Sequence, residues 1–161
     1  MWVRLRAVWR LALVLACLIQ GLVIQLTLFP RWTPHQKQAA VIRWSRRMLW
    51  AMNVQVQRSG HVKAGPLMVV SNHFSWLDIL VTHSQFFGRF VAKGEVRAWP
   101  VMGHLAAQAG TFFIERSSRR DALRMVQDMT QSLGRKEVLI VFPEGTTNDG
   151  ASLLPFHANL I

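Results

Sequence analysis

Apolar and charged residues are distributed differently in the two parts of the chain. From Leu11 to Phe29, nineteen consecutive residues carry no charge, whereas later apolar runs are short and separated by polar segments. A helix that crosses the hydrocarbon core of a bilayer needs about 20 apolar residues, so the first run predicts a membrane helix. A cleaved signal peptide is the alternative, because Val14–Cys17 loosely resembles a lipoprotein cleavage site. The run continues for twelve residues beyond Cys17, which favours an uncleaved anchor.

A second helix is predicted shortly after the first. Thr33 and Pro34 are residue types favoured at the N-cap and at the first position of a helix, and a mixed apolar and basic segment follows from His35 to Met52. Its tryptophans, Trp44 and Trp50, are of a type that favours the headgroup level of a bilayer. The two helices either include one that spans the membrane or form a hairpin that dips into one leaflet with both ends cytoplasmic. The alternative for the second helix is a solvated basic face over an ordinary core.

The remaining residues alternate strand-like and helix-like segments. Five short β-rich runs are predicted strands: Val54–Gln57, Leu67–Ser71, Arg89–Ala92, Thr111–Ile114 and Val138–Phe142. Three segments between them are predicted helices: Trp76–Gln85, Val101–Ala107 and Arg119–Leu133. Such alternation predicts an α/β fold with a mostly parallel sheet. We therefore expect N-terminal membrane-anchor helices over residues 1–52 and an α/β domain over residues 53–161.

The last predicted helix has the clearest pattern of the three. Ser117 or Ser118 can cap its start, and Gly134 stands at its C-terminal end. One apolar stripe is predicted to face the core: Leu123, Val126, Met129 and Leu133.

Charge is concentrated in the N-terminal third. The chain of 161 residues has a net charge of +11, and its 51% hydrophobic and 17% charged residues exclude a disordered protein. Residues 1–60 hold nine basic residues and no acidic one. Residues 61–161 hold ten basic and all eight acidic residues, a net charge of only +2, which argues against a nucleic-acid partner for that part. Each Lys or Arg near an anionic bilayer contributes about 1 kcal/mol, so the basic third favours membrane attachment.

The first polar cluster follows the strand that is predicted to end at Ser71. Ser75 and Asp78 resemble a helix N-cap arrangement, which leaves His73 in the loop and Asp78 in the first helical turn. Asp78 can then fold back onto one imidazole nitrogen and leave the other as a general base. A locally satisfied histidine and an aspartate that acts only as a helix-terminus charge remain the alternative.

Other chemistry has weaker support in the sequence. Ser71 and Ser75 are the nucleophile candidates near the pair, and a base without a nucleophile of its own suits a reaction in which a substrate hydroxyl attacks. We expect no metal, because His83 and His104 are too scattered to form a ligand set. Cys17 is alone, so no disulfide framework is predicted.

Two more clusters follow later strands. The first is Gly110–Arg116, in which Arg116 could grip a phosphate with two hydrogen bonds. The second is Phe142–Thr147, in which Gly145 allows a close backbone approach. Because sites in open α/β sheets form beyond the carboxyl ends of the strands, the joint placement of the three clusters indicates one site.

The three clusters together resemble those of the glycerolipid acyltransferases, and most closely of the bacterial 1-acyl-glycerol-3-phosphate acyltransferases. His-four residues-Asp, Gly-x-x-Phe-Ile-x-Arg and Phe-Pro-Glu-Gly-Thr occur here in that family's order and rough spacing, with similar spacer residues at Lys93–Glu95 and Trp99–Gly103. The resemblance covers about residues 60–161, and the N-terminal helices resemble the family's membrane anchor.

The resemblance implies transfer of a fatty acyl group from acyl-CoA or acyl carrier protein to lysophosphatidic acid, which gives phosphatidic acid. His73 would be the general base and Asp78 its orienting partner. The acceptor site would be shaped by the matching motif residues: Asn72, Phe113, Arg116, Glu144, Gly145 and Thr146. It implies no cofactor beyond the acyl donor, a membrane lipid as partner, and a bacterial inner-membrane location with the site on the cytoplasmic face. The oligomeric state stays open.

Two departures from the family pattern affect these expectations. Thr147 stands where the phosphatidic-acid-forming enzymes usually have Arg, so a lyso-ornithine lipid is the alternative acceptor. The chain also ends at Ile161, where family members usually continue, so we expect the α/β domain to be truncated. A non-catalytic lipid-binding protein and a thioester or lipid hydrolase are the remaining alternatives.

Overall fold

The computed structural model describes residues 2–63, 65–114 and 119–156, with side chains of 119–122 excepted. The chain forms two compact units. The first unit takes in the residues up to Gly60 together with Ile79–Phe87, and the second takes in His61–Asp78 and the chain from Gly88 onward. The boundary between residues 52 and 53 stays a prediction.

The first unit is built on a helical hairpin. Helix α1 spans Trp2–Thr27, a short 3-10 helix spans Phe29–Arg31, and helix α2 spans Pro34–Ala51. The predicted start of α2 is confirmed. The Thr33 hydroxyl accepts the Gln36 N–H at 3.3 Å, and the Gln36 side chain accepts the Thr33 N–H at 2.8 Å.

Polar contacts between α1 and α2 include two in which a side chain reaches a backbone carbonyl, as well as the bond from Arg47 Nη1 to Gln20 Oε1 at 3.0 Å. Trp44 Nε1 donates to the Cys17 carbonyl at 2.8 Å, and the Arg10 guanidinium donates to the Ala51 carbonyl at 3.1 Å. Gly21 lies against the Trp44 indole, where a Cβ on the glycine would come within 2.5 Å of Nε1. The helices therefore pack so closely at this point that a side chain larger than hydrogen must displace the indole.

Helix α1 presents many apolar side chains to its surroundings. Among the described residues, it is the one helix that is long and apolar enough to cross a membrane. Its exposed large apolar side chains are Trp2, Val3, Leu5, Val8, Trp9, Leu11, Leu15, Ile19, Val23 and Leu26. This helix contains most of the predicted Leu11–Phe29 run and begins earlier than that run does.

The second unit contains a parallel sheet, as predicted, and the sheet has four strands. The strands are β1 Leu67–Val70, β2 Arg89–Lys93, β3 Phe112–Ile114 and β4 Val138–Val141. Their order is β1-β4-β2-β3, with Leu67 opposite Val138 and Phe90 opposite Ile140. The connecting helices are α3 Leu77–Gln85, whose residues from Ile79 belong to the first unit, a 3-10 helix Gly94–Ala98, α4 Met102–Gln108 and α5 Arg119–Gly134.

The prediction of a strand at Val54–Gln57 was wrong. These residues belong to no strand, although Val54 and Val56 are half-buried and alternate with exposed Gln55 and Gln57. Alternation predicts a strand because it reports one covered face, but a strand also requires a neighbouring backbone to pair with.

Helix α5 covers the sheet with part of the predicted stripe: Met129 and Leu133 pack against the core as predicted, whereas Leu123 and Val126 are mostly exposed. The core cluster of Val91, Phe112, Leu139 and Val141 packs against Met125, Met129 and Leu133, as well as Ile114. Leu123 and Val126 are about 60% exposed, at 61% and 60%. Leu123 and Met125 are about 200° apart around a helix, so one stripe cannot hold both. The predicted caps, Ser117 and Ser118, lie outside the described residues.

A charged network ties together the starts of the strands, at the edge opposite the polar clusters. Arg89 Nε donates to the Gly110 carbonyl at 2.7 Å, and its Nη1 donates to Glu137 Oε2 at 3.1 Å. The guanidinium carbon also lies 3.9 Å from the centre of the Phe112 ring. Arg89 thus joins the beginnings of β2, β3 and β4.

Glu137 is the acidic centre of this network. Burial by itself would raise the pKa of Glu137, but hydrogen bonds from Ser132 and Arg89, with the charges of Arg89 and Arg135, outweigh burial and hold that pKa below its ordinary value. Arg135 Nε lies 3.6 Å from Glu137 Oε1. The network therefore favours the ionised carboxylate in the folded state.

Candidate active site

The site begins in the loop between β1 and α3. Asp78, in the first turn of α3, accepts three hydrogen bonds on one oxygen, Oδ2. The donors are His73 Nδ1 at 2.9 Å and the backbone N–H groups of Phe74 at 2.7 Å and Ser75 at 2.9 Å. Ser75 Oγ in turn accepts the Leu77 N–H at 3.1 Å. The predicted turn therefore exists, and it brings the carboxylate back to the imidazole.

The contact with Asp78 defines what the imidazole can do. With Nδ1 donating its proton to the carboxylate, Nε2 of the neutral ring carries a lone pair and can accept a proton. The His73 and Asp78 side chains are 18% and 23% exposed, so the pair is reachable from solvent but mostly shielded.

An aromatic ring supports the other side of His73. The Phe142 ring stacks on the imidazole with 4.0 Å between ring centres and an angle of 11° between the planes. Phe142 is buried and lies 5.4 Å from the Phe90 ring. His73 follows β1 and Phe142 follows β4, so the pairing of those two strands brings the rings together.

The segment after β4 forms a tight turn that buries a carboxylate. The Gly145 N–H donates to the Phe142 carbonyl at 3.0 Å, and the positive φ of Gly145, 65°, is one that glycine adopts without steric cost. Glu144 inside this turn is 2% exposed. Its Oε2 accepts the Asn148 side-chain amide and the Leu154 N–H at 3.2 Å. Its buried Oε1 has no hydrogen-bond partner among the described residues.

Asn148 connects the Glu144 turn to the His73 loop. Its backbone N–H donates to the His73 carbonyl at 3.1 Å, and its side-chain Nδ2 donates to Glu144 Oε2. The sequence prediction missed this residue. The polar stretch Asn148–Gly150 could have located a turn here, since an Asp-Gly pair marks turns.

The structure places the other predicted residues as follows. Asn72 and Thr146 are exposed and lie next to His73 and Gly145 in the chain. Phe113 is half-buried on β3, which is separated from β4 by β2, and its ring lies 5.8 Å from the Arg97 guanidinium carbon. Arg116 lies outside the described residues. The geometry thus brings His73, Asp78, Glu144 and Gly145 together and leaves Phe113 two strands away from β4.

Neither candidate nucleophile is bonded to His73 within the described part of the chain. Ser71 Oγ donates to the Asn72 carbonyl at 3.2 Å, and Ser75 Oγ is occupied by the Leu77 N–H. Among the same residues, no three His, Cys, Asp or Glu side chains lie together in a way that could hold a metal ion.

Comparison with known proteins places the chain in a family. The family model described as Acyltransferase matches residues 53–161, more than half of the chain. A 1-acyl-sn-glycerol-3-phosphate acyltransferase of Neisseria meningitidis serogroup B is 37% identical over 129 residues, which cover 79% of this chain and 51% of that protein. A lyso-ornithine lipid O-acyltransferase of Pseudomonas aeruginosa is 42% identical over 118 residues, which cover 73% and 45%.

A solved structure supports the fold. The crystal structure of the 1-acyl-sn-glycerophosphate acyltransferase PlsC from Thermotoga maritima matches with a TM-score of 0.65 and 21% identity, covering 97% of this chain and 69% of that one. The chain spans about half the length of the curated relatives it matches. The motifs, the parallel sheet and the match over residues 53–161 agree, and this chain belongs to the acyltransferase family.

Proposed function

We propose that this protein moves a fatty acyl group from acyl-CoA or acyl carrier protein to the free hydroxyl of lysophosphatidic acid, forming phosphatidic acid. The observation that carries the proposal is the 2.9 Å contact between His73 Nδ1 and Asp78 Oδ2. Asp78 fixes the tautomer in which Nε2 of His73 is the free base. No cofactor other than the acyl donor takes part.

The reaction follows from that tautomer. Nε2 of His73 takes the proton of the lysolipid hydroxyl while the hydroxyl oxygen attacks the thioester carbonyl. The carbon–sulfur bond then breaks, the new ester forms, and the imidazolium returns its proton to the departing thiolate. The negative charge of Asp78 stabilises the imidazolium between the two proton transfers. A substrate hydroxyl as nucleophile agrees with the engagement of Ser71 and Ser75 elsewhere.

The acceptor lies against the turn after β4. The buried Oε1 of Glu144 can accept a hydrogen bond from a ligand, because the protein offers it no donor among the described residues. Gly145 lets the lipid approach the backbone, and Asn72 and Thr146 border the site. Phe113 and Arg116 complete the acceptor site in this proposal, with Arg116 directed to the phosphate.

A lyso-ornithine lipid is the second candidate acceptor. Thr147, an exposed neutral residue, gives the head group no positive charge, and several relatives carry the name lyso-ornithine lipid O-acyltransferase. A buried carboxylate with one oxygen unpartnered among the described residues also suits an amine-bearing head group, because an ammonium is a strong donor to a carboxylate.

One set of assays tests the function. Labelled acyl-CoA and acyl carrier protein are offered with lysophosphatidate, with lyso-ornithine lipid, or with no acceptor, to the wild type and to His73→Ala. We expect diacylated product with one of the two acceptors and its loss in the variant. Near-normal turnover by His73→Ala would contradict His73 as the general base. Free fatty acid without acceptor would identify a hydrolase, and lipid binding without turnover a non-catalytic protein.

We further propose that the hairpin attaches the protein to the cytoplasmic face of a bacterial inner membrane. Support comes from the exposed apolar surface of α1 and from the absence of acidic residues in positions 1–60. Leu15 and Ile19, 50% and 64% exposed, lie one helical turn apart on that surface. The variant Leu15→Arg with Ile19→Arg should float less with anionic vesicles. Val126 on α5 is 60% exposed, so Val126→Arg is the control, and it should float with the vesicles to the same extent as wild type.

A further inference from the structure

Asn148 joins the His73 loop, the Glu144 turn and its own loop through hydrogen bonds. Its backbone N–H donates to the His73 carbonyl at 3.1 Å. Its Nδ2 donates to Glu144 Oε2 and, at 3.3 Å, to the Ser152 carbonyl. Its Oδ1 accepts the Gly150 N–H at 2.6 Å. Both ends of the side-chain amide and the backbone donor are therefore used.

The contact with His73 supplies a restraint that the other contacts do not. Asp78 holds the imidazole nitrogen and Phe142 holds the ring face, but both act on the side chain. The Asn148 N–H holds the backbone carbonyl of the same residue. Fixing both the backbone and the ring determines where Nε2 points.

The side chain of Asn148 sets where its own backbone lies. With the amide on Glu144 Oε2, the loop is held to the buried carboxylate, and Glu144 Oε1 has no hydrogen-bond partner among the described residues. Serine and aspartate cannot replace this pattern, because neither offers an N–H₂ donor together with a carbonyl acceptor. Asn148 thus fixes the distance between His73, the base, and the unpartnered oxygen of Glu144.

We infer that Asn148 is a positioning residue that couples His73 to Glu144, an inference that rests on the proposed function. Asn148→Ala removes the bonds to Glu144, Ser152 and Gly150 but keeps the backbone N–H. We expect kcat/KM for the lysolipid to fall about 10- to 100-fold, since displacement of a catalytic group by about 1 Å has that effect.

Asn148→Asp separates positioning from a simple contribution to folding. The new carboxylate keeps the acceptor for Gly150 but faces Glu144, and two adjacent carboxylates repel each other unless they share a proton. The nearby titratable groups are Glu144, His73, Asp78 and Asp149. When one proton bridges the two carboxylates, it restores a donor to Glu144 Oε2. Activity relative to wild type should therefore rise as pH falls, by up to about tenfold per pH unit.

The comparison uses wild type, Asn148→Ala, Asn148→Asp and Asp149→Ala, with activity ratios measured from about pH 8 to about pH 6. Asp149 is the matched control, because it is exposed and its side chain bonds the Ala151 N–H at 3.0 Å within the same loop. We expect a pH-independent deficit for Asn148→Ala, recovery at low pH for Asn148→Asp, and near-wild-type activity for Asp149→Ala. Equal losses in the Ala variants, or a flat ratio for Asn148→Asp, would overturn the inference.

A wrong proposed function gives a different result from a wrong role for Asn148. If wild type transfers no acyl group to either acceptor, the proposed function is wrong. Imidazole ¹⁵N spectra of His73 then test the inference alone. Asn148→Ala should shift the His73 resonances, and Asp149→Ala should not. Unshifted His73 resonances in Asn148→Ala would overturn the positioning role whatever the reaction is.

Discussion

Asp78 accepts the His73 Nδ1 proton at 2.9 Å with the same oxygen that accepts two backbone N–H groups of the connecting loop. The carboxylate thus holds the loop and orients the imidazole at once. In its ionised form this carboxylate can stabilise an imidazolium on His73.

Asp78→Asn tests the charge of this oxygen while preserving its shape. An amide oxygen can still accept hydrogen bonds, but it no longer neutralises the imidazolium. We expect kcat to fall by about 10²- to 10⁴-fold, the usual range for a general acid–base contribution. Asp128→Asn, at an exposed position on α5, is the control and should keep full activity. Equal kcat in the two variants would contradict the role of Asp78.

Phe142→Leu tests the ring that supports His73. Loss of the stacked ring lets the imidazole tilt, so we expect a lower kcat together with a destabilisation of about 1–3 kcal/mol. Phe90→Leu is the matched control, because Phe90 is also buried, stacks on Phe142 and lies on β2. Phe90→Leu should lower the free energy of unfolding about as much as Phe142→Leu does, but it should lower kcat less. If the two variants lose equal activity, the His73–Phe142 contact has no role beyond packing.

The Arg89–Glu137 network predicts a dependence of stability on pH. The folded-state pKa of Glu137 is lowered, so this group stabilises the fold above its ordinary pKa, and the contribution is lost as pH falls through the folded-state value. The difference in free energy of unfolding between wild type and Glu137→Gln should therefore be largest near neutrality and shrink in acid. Denaturant unfolding at several pH values measures it.

Arg89→Met provides the second half of that test. Removing the guanidinium takes away a hydrogen bond and a charge that lower the Glu137 pKa. The free energy of unfolding of Arg89→Met should therefore depend less on pH in acid than that of wild type. An acid slope in Arg89→Met as steep as in wild type would show that Arg89 does not stabilise the carboxylate.

Gly21→Ala tests the close packing of the hairpin. The new Cβ would lie 2.5 Å from Trp44 Nε1, so the indole must move and weaken its bond to the Cys17 carbonyl. We expect a loss of about 1–3 kcal/mol, measured as reduced thermal stability in detergent. Gly134→Ala is the matched control, because a Cβ there meets nothing within 4 Å, and it should be neutral or stabilising. A neutral Gly21→Ala would contradict the packing.

The predicted elements were accurate where the signal is local. The start of α2 followed from Thr33 and Pro34, and the fold-back of Asp78 followed from its spacing to Ser75. The prediction failed at Val54–Gln57 and for Leu123 and Val126 of the predicted α5 stripe. There, the outcome depends on which distant surface is available for pairing or packing.

The sequence by itself determined the strand–helix alternation, the order of the three polar clusters and the basic, apolar character of the N-terminal third. These follow from periodicity and turn chemistry, which act over a few residues. Only the tertiary structure decided that β1 pairs with β4, that Phe142 therefore stacks on His73, and that Asn148 reaches the His73 carbonyl. Strand order joins segments far apart in the chain, and its free energy comes from pairing and burial that no local pattern records.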